Sequence, residues 1–431
     1  MLNCTKKMSI PSVEQAISIL NGNLDIRPIY IDYDKVLMNI FSLGDVIDNN
    51  SLEFKNLTGD AICDDESMKY YVAKRNIGSA FNLTDTGAIS LDMESISAAL
   101  ENSSVTEYDK EVIKYFQAVR KAKKARGVVV AFLQNPISKE ISCDGHRMLE
   151  VRPEWSHQNT GRVAMSKPAI QNINRELQEL ITVPIGYKLI HCDSGQVEPR
   201  ITYSAFVPDE QIKALINLYD DAYFGLLHYC TMDQSFIDSG TLNFTKREIT
   251  QDMQDGRKKI KTYGNAVMYG SKKEEDNIKA AMTKRIGNHP ARLQLIRDIE
   301  YELDRGRTIF YTYFGTPIDI SKSPKLQVSG RNTREQMIKL AINNPIQGTA
   351  ADLMRYSLLQ ASRLIMSVKK SSIIAYVHDA GYFCVSEDEY DKIGKELEDI
   401  VAYQVDDWLP VHADSEIYKF NPNGAYAKYK Y

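Results

Sequence analysis

The sequence predicts a mixed α/β (α+β) protein whose strand-forming core is interrupted by a helical subdomain. Three observations carry this. Short apolar runs broken by turn residues fill residues 141–200. Residues 207–300 are charged and read mainly as helices. Strand-like sequence then returns in "SSIIAYVHDAGYFCVS", residues 371–386.

Taken in order, "SVEQAISILNGN" (12–23) reads as a helix and "IRPIYIDYDKV" (26–36) as an extended segment. From Met93 to Arg126 the pattern is helical, with Val112, Ile113, Phe116 and Val119 on one stripe. "LDMES" (Leu91–Ser95) is its start. Its expected end is Gly127, after Arg120, Lys121, Lys123, Lys124 and Arg126. Such a basic end either complements the helix dipole or meets a phosphate backbone. "YFGTPIDI" (313–320) reads as a hairpin or turn. A long helix is expected from about Arg334 to Ser367, another near Glu387–Leu409, and a short strand near "EIYKF" (416–420).

Composition narrows the function classes. The chain has 431 residues, 43% hydrophobic and 26% charged, with a net charge of −4. That length allows two or three domains. Nucleic-acid binding would need a local basic patch, because the bulk charge is acidic. Six cysteines (Cys4, Cys63, Cys143, Cys192, Cys230, Cys384) show no paired spacing. This speaks against a zinc site or a disulfide framework and fits a reducing cytoplasm. No apolar run approaches the roughly 20 residues of a membrane span, and "MLNCTKKMSIPSVEQ" has no secretory apolar core.

Two acids stand out. In "YKLIHCDSGQVEPRI" (187–201), Asp193 follows the apolar Leu189 and Ile190, with Glu198 and Arg200 close behind. A strand-end cap or a surface ion pair would explain one such acid. In "IIAYVHDAGYFCV" (373–385), however, Asp379 sits near the tip of an expected β-hairpin. Two neighbouring aspartates repel unless a cation lies between them. Two carboxylate-bridged Mg²⁺ ions perform in-line phosphoryl transfer. Spacing alone does not bring the two acids together. In "DGRKKIKTYGNAVMYGSKK" (255–273), Arg257, Lys261, Asn265 and Tyr269 recur at steps of four, on one helix face. Two cations one turn apart near a helix N-terminus suit a polyphosphate. A solvated basic helix explains the same cations, since Lys258 and Lys259 point outward.

Together these stretches resemble the polymerase domain of family A DNA polymerases, the DNA polymerase I type. The resemblance rests on five motifs: "TGRVAMSKPAIQNI" (160–173), "DSGQVEPR" (193–200), the Arg257–Lys261–Asn265–Tyr269–Gly270 helix, "NNPIQGTAADLM" (343–354) and Val377-His378-Asp379-Ala380. It extends more weakly to "LNGNLDIRPIYIDYDKV" (20–36) and "CDGHRMLEV" (143–151).

The resemblance implies a right-hand fold with an antiparallel palm sheet, helical fingers and a helical thumb. Residues 1–140 would form an N-terminal segment and thumb, 141–206 and 335–431 the palm, and 207–334 the fingers. It implies a template-directed DNA-dependent DNA polymerase that adds dNTPs to a primer. Asp193 and Asp379, with the Ser194 carbonyl, would hold two Mg²⁺ ions, Mn²⁺ being an alternative. Arg257 and Lys261 would bind the triphosphate, and Lys261 would protonate the departing pyrophosphate. Gln196, Ser194, Asn265 and Tyr269 would line the nucleotide site. Glu198, backed by Tyr269, would exclude a 2′-hydroxyl. Arg162, Gln171, Asn172, Asn343, Gln347 and His378 would contact primer-template DNA, where minor-groove acceptors occur on every base pair.

Further expectations are a cytoplasmic monomer of phage or mobile-element type. A separate exonuclease, helicase/primase or single-strand-binding protein would act alongside it. The thumb-like pattern begins almost at Met1, so no 3′–5′ exonuclease domain is expected. Departures from the family are Asn265 in place of a large aromatic, Ala380 in place of an acid, Pro199 at an apolar place and Tyr223 where a histidine is common. Two other readings compete. One is a single-subunit RNA polymerase, against which Glu198 and "PIQGTAAD" weigh. The other is an inactive nucleic-acid-binding scaffold, against which both aspartates and both triphosphate cations weigh.

Overall fold

The computed structural model describes residues 10–22, 28–84, 87–135, 139–143, 145–172, 177, 180–268, 276–327, 333–377 and 379–402, and short strands beyond 403. Its centre is a five-stranded antiparallel sheet. In spatial order the strands are Ser372–Val377, Ala380–Ser386, Tyr187–Ser194, Ala413–Lys419 and Ala427–Tyr429. The middle strands alternate in the way a two-residue period requires. Ile190, Cys192, Phe383 and Val385 pack with the helix Glu387–Val401 and the C-terminal half of the long helix Thr333–Met366. Leu189, Tyr382 and Cys384 face the opposite side. His191 and Asp193, two and four residues on from Leu189, share that side.

A second antiparallel sheet orders Lys139–Cys143, His146–Val151, Ile29–Asp32 and Ile181–Thr182. The expected extended segment at 26–36 is therefore shorter than its sequence suggests. Asp32 ends the strand and caps the helix Tyr33–Thr58, accepting a hydrogen bond from the Lys35 amide.

That helix packs along Glu107–Gln134. The shorter helices Asp65–Lys74 and Met93–Glu101 close the far end around Phe54, Met68, Ile96 and Phe116. Gly127 does not stop the helix; it continues for two more turns to Gln134. Burial of Val129 and Phe132 outweighs the ~1 kcal/mol helix penalty of one glycine. The basic residues 120–126 thus lie inside the helix, and its last turn carries no cation. Dipole compensation does not explain them.

One buried acid holds this region. Asp109, 1% exposed, accepts from Tyr71 Oη at 2.7 Å, Thr106 Oγ1 at 2.6 Å and Arg75 Nε at 2.7 Å. Burial would raise its carboxyl, but the Arg75, Thr106 and Tyr71 hydrogen bonds win and hold it at about 2. This stability is fully present above the ordinary carboxylate value and is lost as pH falls toward 2. Asp109→Ala should cost about 2–3 kcal/mol by leaving a buried hydroxyl without its acceptor. Urea denaturation at pH 7 reads this, and a loss under 0.5 kcal/mol would contradict it.

The helical insertion comprises Glu210–Tyr219, Ala222–Thr231, Gln251–Met268, Asn277–Met282 and Pro290–Asp304 around one apolar core. A hairpin, Ile309–Tyr311 with Pro317–Asp319, leads back toward the long helix. No helix among the described residues is long and apolar enough to cross a membrane.

Candidate active site: two aspartates and two cavities

The central sheet brings the two acids together. The strands Tyr187–Ser194 and Ala380–Ser386 pair antiparallel, with Asp193 opposite Ala380. The Ser194 amide donates to the Asp379 carbonyl at 3.0 Å. Asp379 therefore lies one residue from the partner of Asp193, at the same end of the sheet. Asp193 is exposed and Asp379 half-buried.

Asp379 lines two cavities, each of about 210 Å³. The first also contains Asp193, His191, Tyr382, Gln171 and Val377. His191 and Tyr382 stack at its wall, ring centroids 4.3 Å apart and planes at 21°. The second contains Gln196, Glu198, Tyr223, Lys261 and Ile346.

The chain turns sharply after Asp193. Gln196 adopts a left-handed conformation (φ 55°) at the start of the short helix Val197–Ile201. Its amide donates to Asp221 Oδ2 at 2.7 Å and accepts from the Ala222 amide at 2.6 Å. Asp221 caps the helix Ala222–Thr231 through the Phe224 amide and receives Arg257 by Nε (2.9 Å) and Nη2 (2.6 Å). Burial raises the Asp221 carboxyl, but the Arg257, Phe224 and Gln196 hydrogen bonds leave it below its ordinary value. Tyr223, next in the chain, lies 5.4 Å from the Arg257 guanidinium and 6.0 Å from the Lys261 ammonium, measured to its ring centre. Burial first and the Glu198 charge second raise its phenol, so it stays a hydrogen-bond donor.

Arg257 and Lys261 lie one turn apart on Gln251–Met268, and of the two only Lys261 lines the second cavity. They are not at the helix start: Arg257 is the seventh residue. The dipole fades within the first turn, so the side-chain charges themselves supply the positive field. Arg257 is also not a bare cation, since Asp221 holds it.

Glu198 pairs with Arg162 Nη2 across the second cavity's edge, with side-chain exposures of 28% and 16%. The steric and DNA-contact candidates are thus joined. Gln171 brackets the Met165 backbone, accepting from its amide and donating to its carbonyl, both at 2.8 Å. In this arrangement it shapes the first cavity's wall. The Ser194 side chain turns to the helix side and donates to the Val401 carbonyl at 3.1 Å. Asn343 and Gln347 are half-buried on the long helix. Tyr269, His378 and the side chains of Asn172 and Asn265 lie outside the described residues.

Sequence reading passed over Asp221, His191 and Tyr382. A signal existed for two of them. His191 and Tyr382 lie two and three residues from the aspartates, on strands whose period sets them on the Asp193 face. Asp221 shows only as a helix-cap residue, and its grip on Arg257 is a tertiary fact.

Comparison with known proteins bears on the family and the fold. The sequence pattern of DNA polymerase family A matches residues 79–419. DNA polymerase I of Mycobacterium tuberculosis is 27% identical over 262 residues, 57% of this chain and 27% of that protein. DNA polymerase I of Deinococcus radiodurans is 27% identical over 244 residues, 51% of this chain and 22% of that protein. The chain thus spans about a quarter of the length of the curated relatives it matches. The fold is similar to that of the POL domain of Pol1 from M. smegmatis, solved in complex with DNA primer-template and dNTP. That likeness has a TM-score of 0.72 at 19% identity, covering 94% of this chain and 68% of the other. The family pattern spans most of the sequence, and the chain belongs to DNA polymerase family A.

Proposed function

We propose that the chain is a template-directed DNA polymerase that extends a primer by in-line nucleotidyl transfer. The observation that carries this reading is Asp379 standing between two cavities of different chemistry. In-line displacement needs the attacking hydroxyl and the leaving group on opposite sides of the reacting phosphorus. The primer 3′ end occupies the His191–Tyr382 side. The dNTP occupies the Lys261–Glu198 side. The primer 3′-hydroxyl loses its proton to solvent and its oxygen bonds to the α-phosphorus as the bond to pyrophosphate breaks.

Two divalent ions, Mg²⁺ or in its place Mn²⁺, fit the acids present. Among the described residues no group of three or more acid, His or Cys side chains could hold a metal alone. Mg²⁺ typically takes one or two carboxylates and completes its shell with water and substrate phosphates. Asp193 and Asp379 offer that pair, with the Ser194 carbonyl assisting. When bound, such ions lower the pKa of the attacking hydroxyl and offset the charge on the leaving phosphate.

The remaining roles fall to the chain's own groups. Lys261 places a cation on the polyphosphate and gives a proton to the departing pyrophosphate. Arg257, seated on Asp221, adds the planar fork that phosphate accepts bidentately. The half-buried Asn343 and Gln347, with Arg162, Gln171, Asn172 and His378, contact the primer-template. The palm, fingers and thumb divide as the resemblance implies.

Glu198 excludes ribonucleotides by filling the space a 2′-hydroxyl would need. Glu198→Ala should therefore lower the dNTP/rNTP ratio of kcat/KM by about 10²-fold, the scale on which a pocket rejects one added hydroxyl. Steady-state primer extension with both substrates tests this. An unchanged ratio would move the gate elsewhere.

A further inference from the structure

A buried ion pair lies behind the Arg162–Glu198 contact. Asp352 and Arg355, one turn apart on the long helix, are 0% and 2% exposed at their side chains and bond to each other. Asp352 also accepts from Thr312 Oγ1 at 2.5 Å and Thr316 Oγ1 at 2.9 Å, both at the turn of the 309–319 hairpin. Arg355 spreads its donors over three chain segments. Its Nη2 meets Asp352, its Nε donates to the Pro11 carbonyl at 3.0 Å, and its Nη1 donates to the Gly161 carbonyl at 2.8 Å.

Gly161 is the residue before Arg162. Its φ of +77° disfavours any side chain, and a Cβ there would sit 2.5 Å from Arg355 Nη1. The guanidinium therefore rests directly on the turn that aims Arg162. The long helix also comes close at Gly348, where a Cβ would lie 3.3 Å from the Thr160 carbonyl. Fold stability alone would be served by apolar packing, since a buried ion pair rarely stabilises more than its hydrophobic replacement. What the pair adds is direction: a guanidinium fixed by Asp352 and the Pro11 carbonyl aims its third donor, Nη1, at the Gly161 turn.

We propose that Arg355, held by Asp352, is a positioning residue for sugar selection. It fixes the Gly161–Arg162 turn, Arg162 fixes Glu198, and Glu198 meets the nucleotide's 2′ position. This rests on the reading of Glu198 as the gate. Lysine is no substitute, because one ammonium cannot reach the Pro11 and Gly161 carbonyls and Asp352 together in the planar geometry of a guanidinium. Thr316→Val removes one donor to Asp352 while keeping its shape.

The test measures kcat/KM for dNTP and rNTP on a primed template. It uses wild type, R355K, T316V, E198A and the double variant R355K/E198A, with thermal unfolding of each. The expected result is a dNTP/rNTP ratio lowered about tenfold in R355K and a few-fold in T316V, the scale of a misplaced charge-assisted contact. R355K should have no further effect on the ratio once Glu198 is alanine. A structural role would instead lower both substrates equally and leave the ratio alone. An unchanged ratio in a folded R355K overturns the proposal, as does an equal drop in the E198A background. If R355K fails to fold, an unchanged ratio in T316V overturns it. If E198A itself leaves the ratio unchanged, the gate reading fails and the proposal falls with it. That failure is distinct from one in which E198A responds and the others do not.

Discussion

Asp193→Asn and Asp379→Asn should each abolish primer extension, leaving under a few per cent of the wild-type rate, while primer-template binding survives. Each substitution keeps the side chain's size and removes one negative charge from the cavity the two acids share. If these carboxylates hold the divalent ions, the step loses an anchor for both hydroxyl activation and leaving-group stabilisation. Several kcal/mol of barrier follow, or roughly three to four decades in rate. Neither side chain supports the fold by burial, since Asp193 is exposed and Asp379 half-buried. Rapid-quench extension and a DNA-binding titration on the same preparations separate chemistry from binding. A folded variant with a tenth of the wild-type rate would exclude its aspartate from the metal site.

Lys261→Ala should lower kcat/KM for dNTP by about 10²–10⁴-fold, the range expected when a general acid is removed from a leaving group. Lys261 lines the second cavity beside Tyr223 and Asp379, and its side chain lies near the Tyr223 ring. Loss of a phosphate contact alone would raise KM; loss of the proton donor lowers kcat as well. Lys261→Arg keeps the charge but raises the donor's pKa beyond useful proton transfer. It should restore KM more than kcat. Equal recovery of both would leave Lys261 as a binding cation with no proton role.

Sequence and structure agree most where local periodicity decides the outcome. The Asp379 hairpin was legible because apolar alternation runs on both sides of a turn, and the Arg257–Lys261 face because four residues make about one helical turn. Gly127 misled because burial of Val129 and Phe132, just beyond it in the helix, overrides a local breaker. Ion-pair partners were the least legible. Nothing near Arg257 in the chain announces Asp221, 36 residues away, and nothing near Gly161 announces Arg355, 194 residues away. Those choices follow from which surfaces the core brings together. The same limit applied to the two aspartates, whose meeting required the pairing of Ala380 with Asp193.

The most direct test of the central claim is extension of a labelled primer annealed to a template of defined sequence, with Mg²⁺ and dNTPs offered singly and together. The account predicts that each primer gains only the nucleotide complementary to the next template base. With all four dNTPs it should run toward the template end, and rNTPs should support far less. No elongation by the folded protein would contradict it, as would addition that ignores the template or equal use of rNTPs.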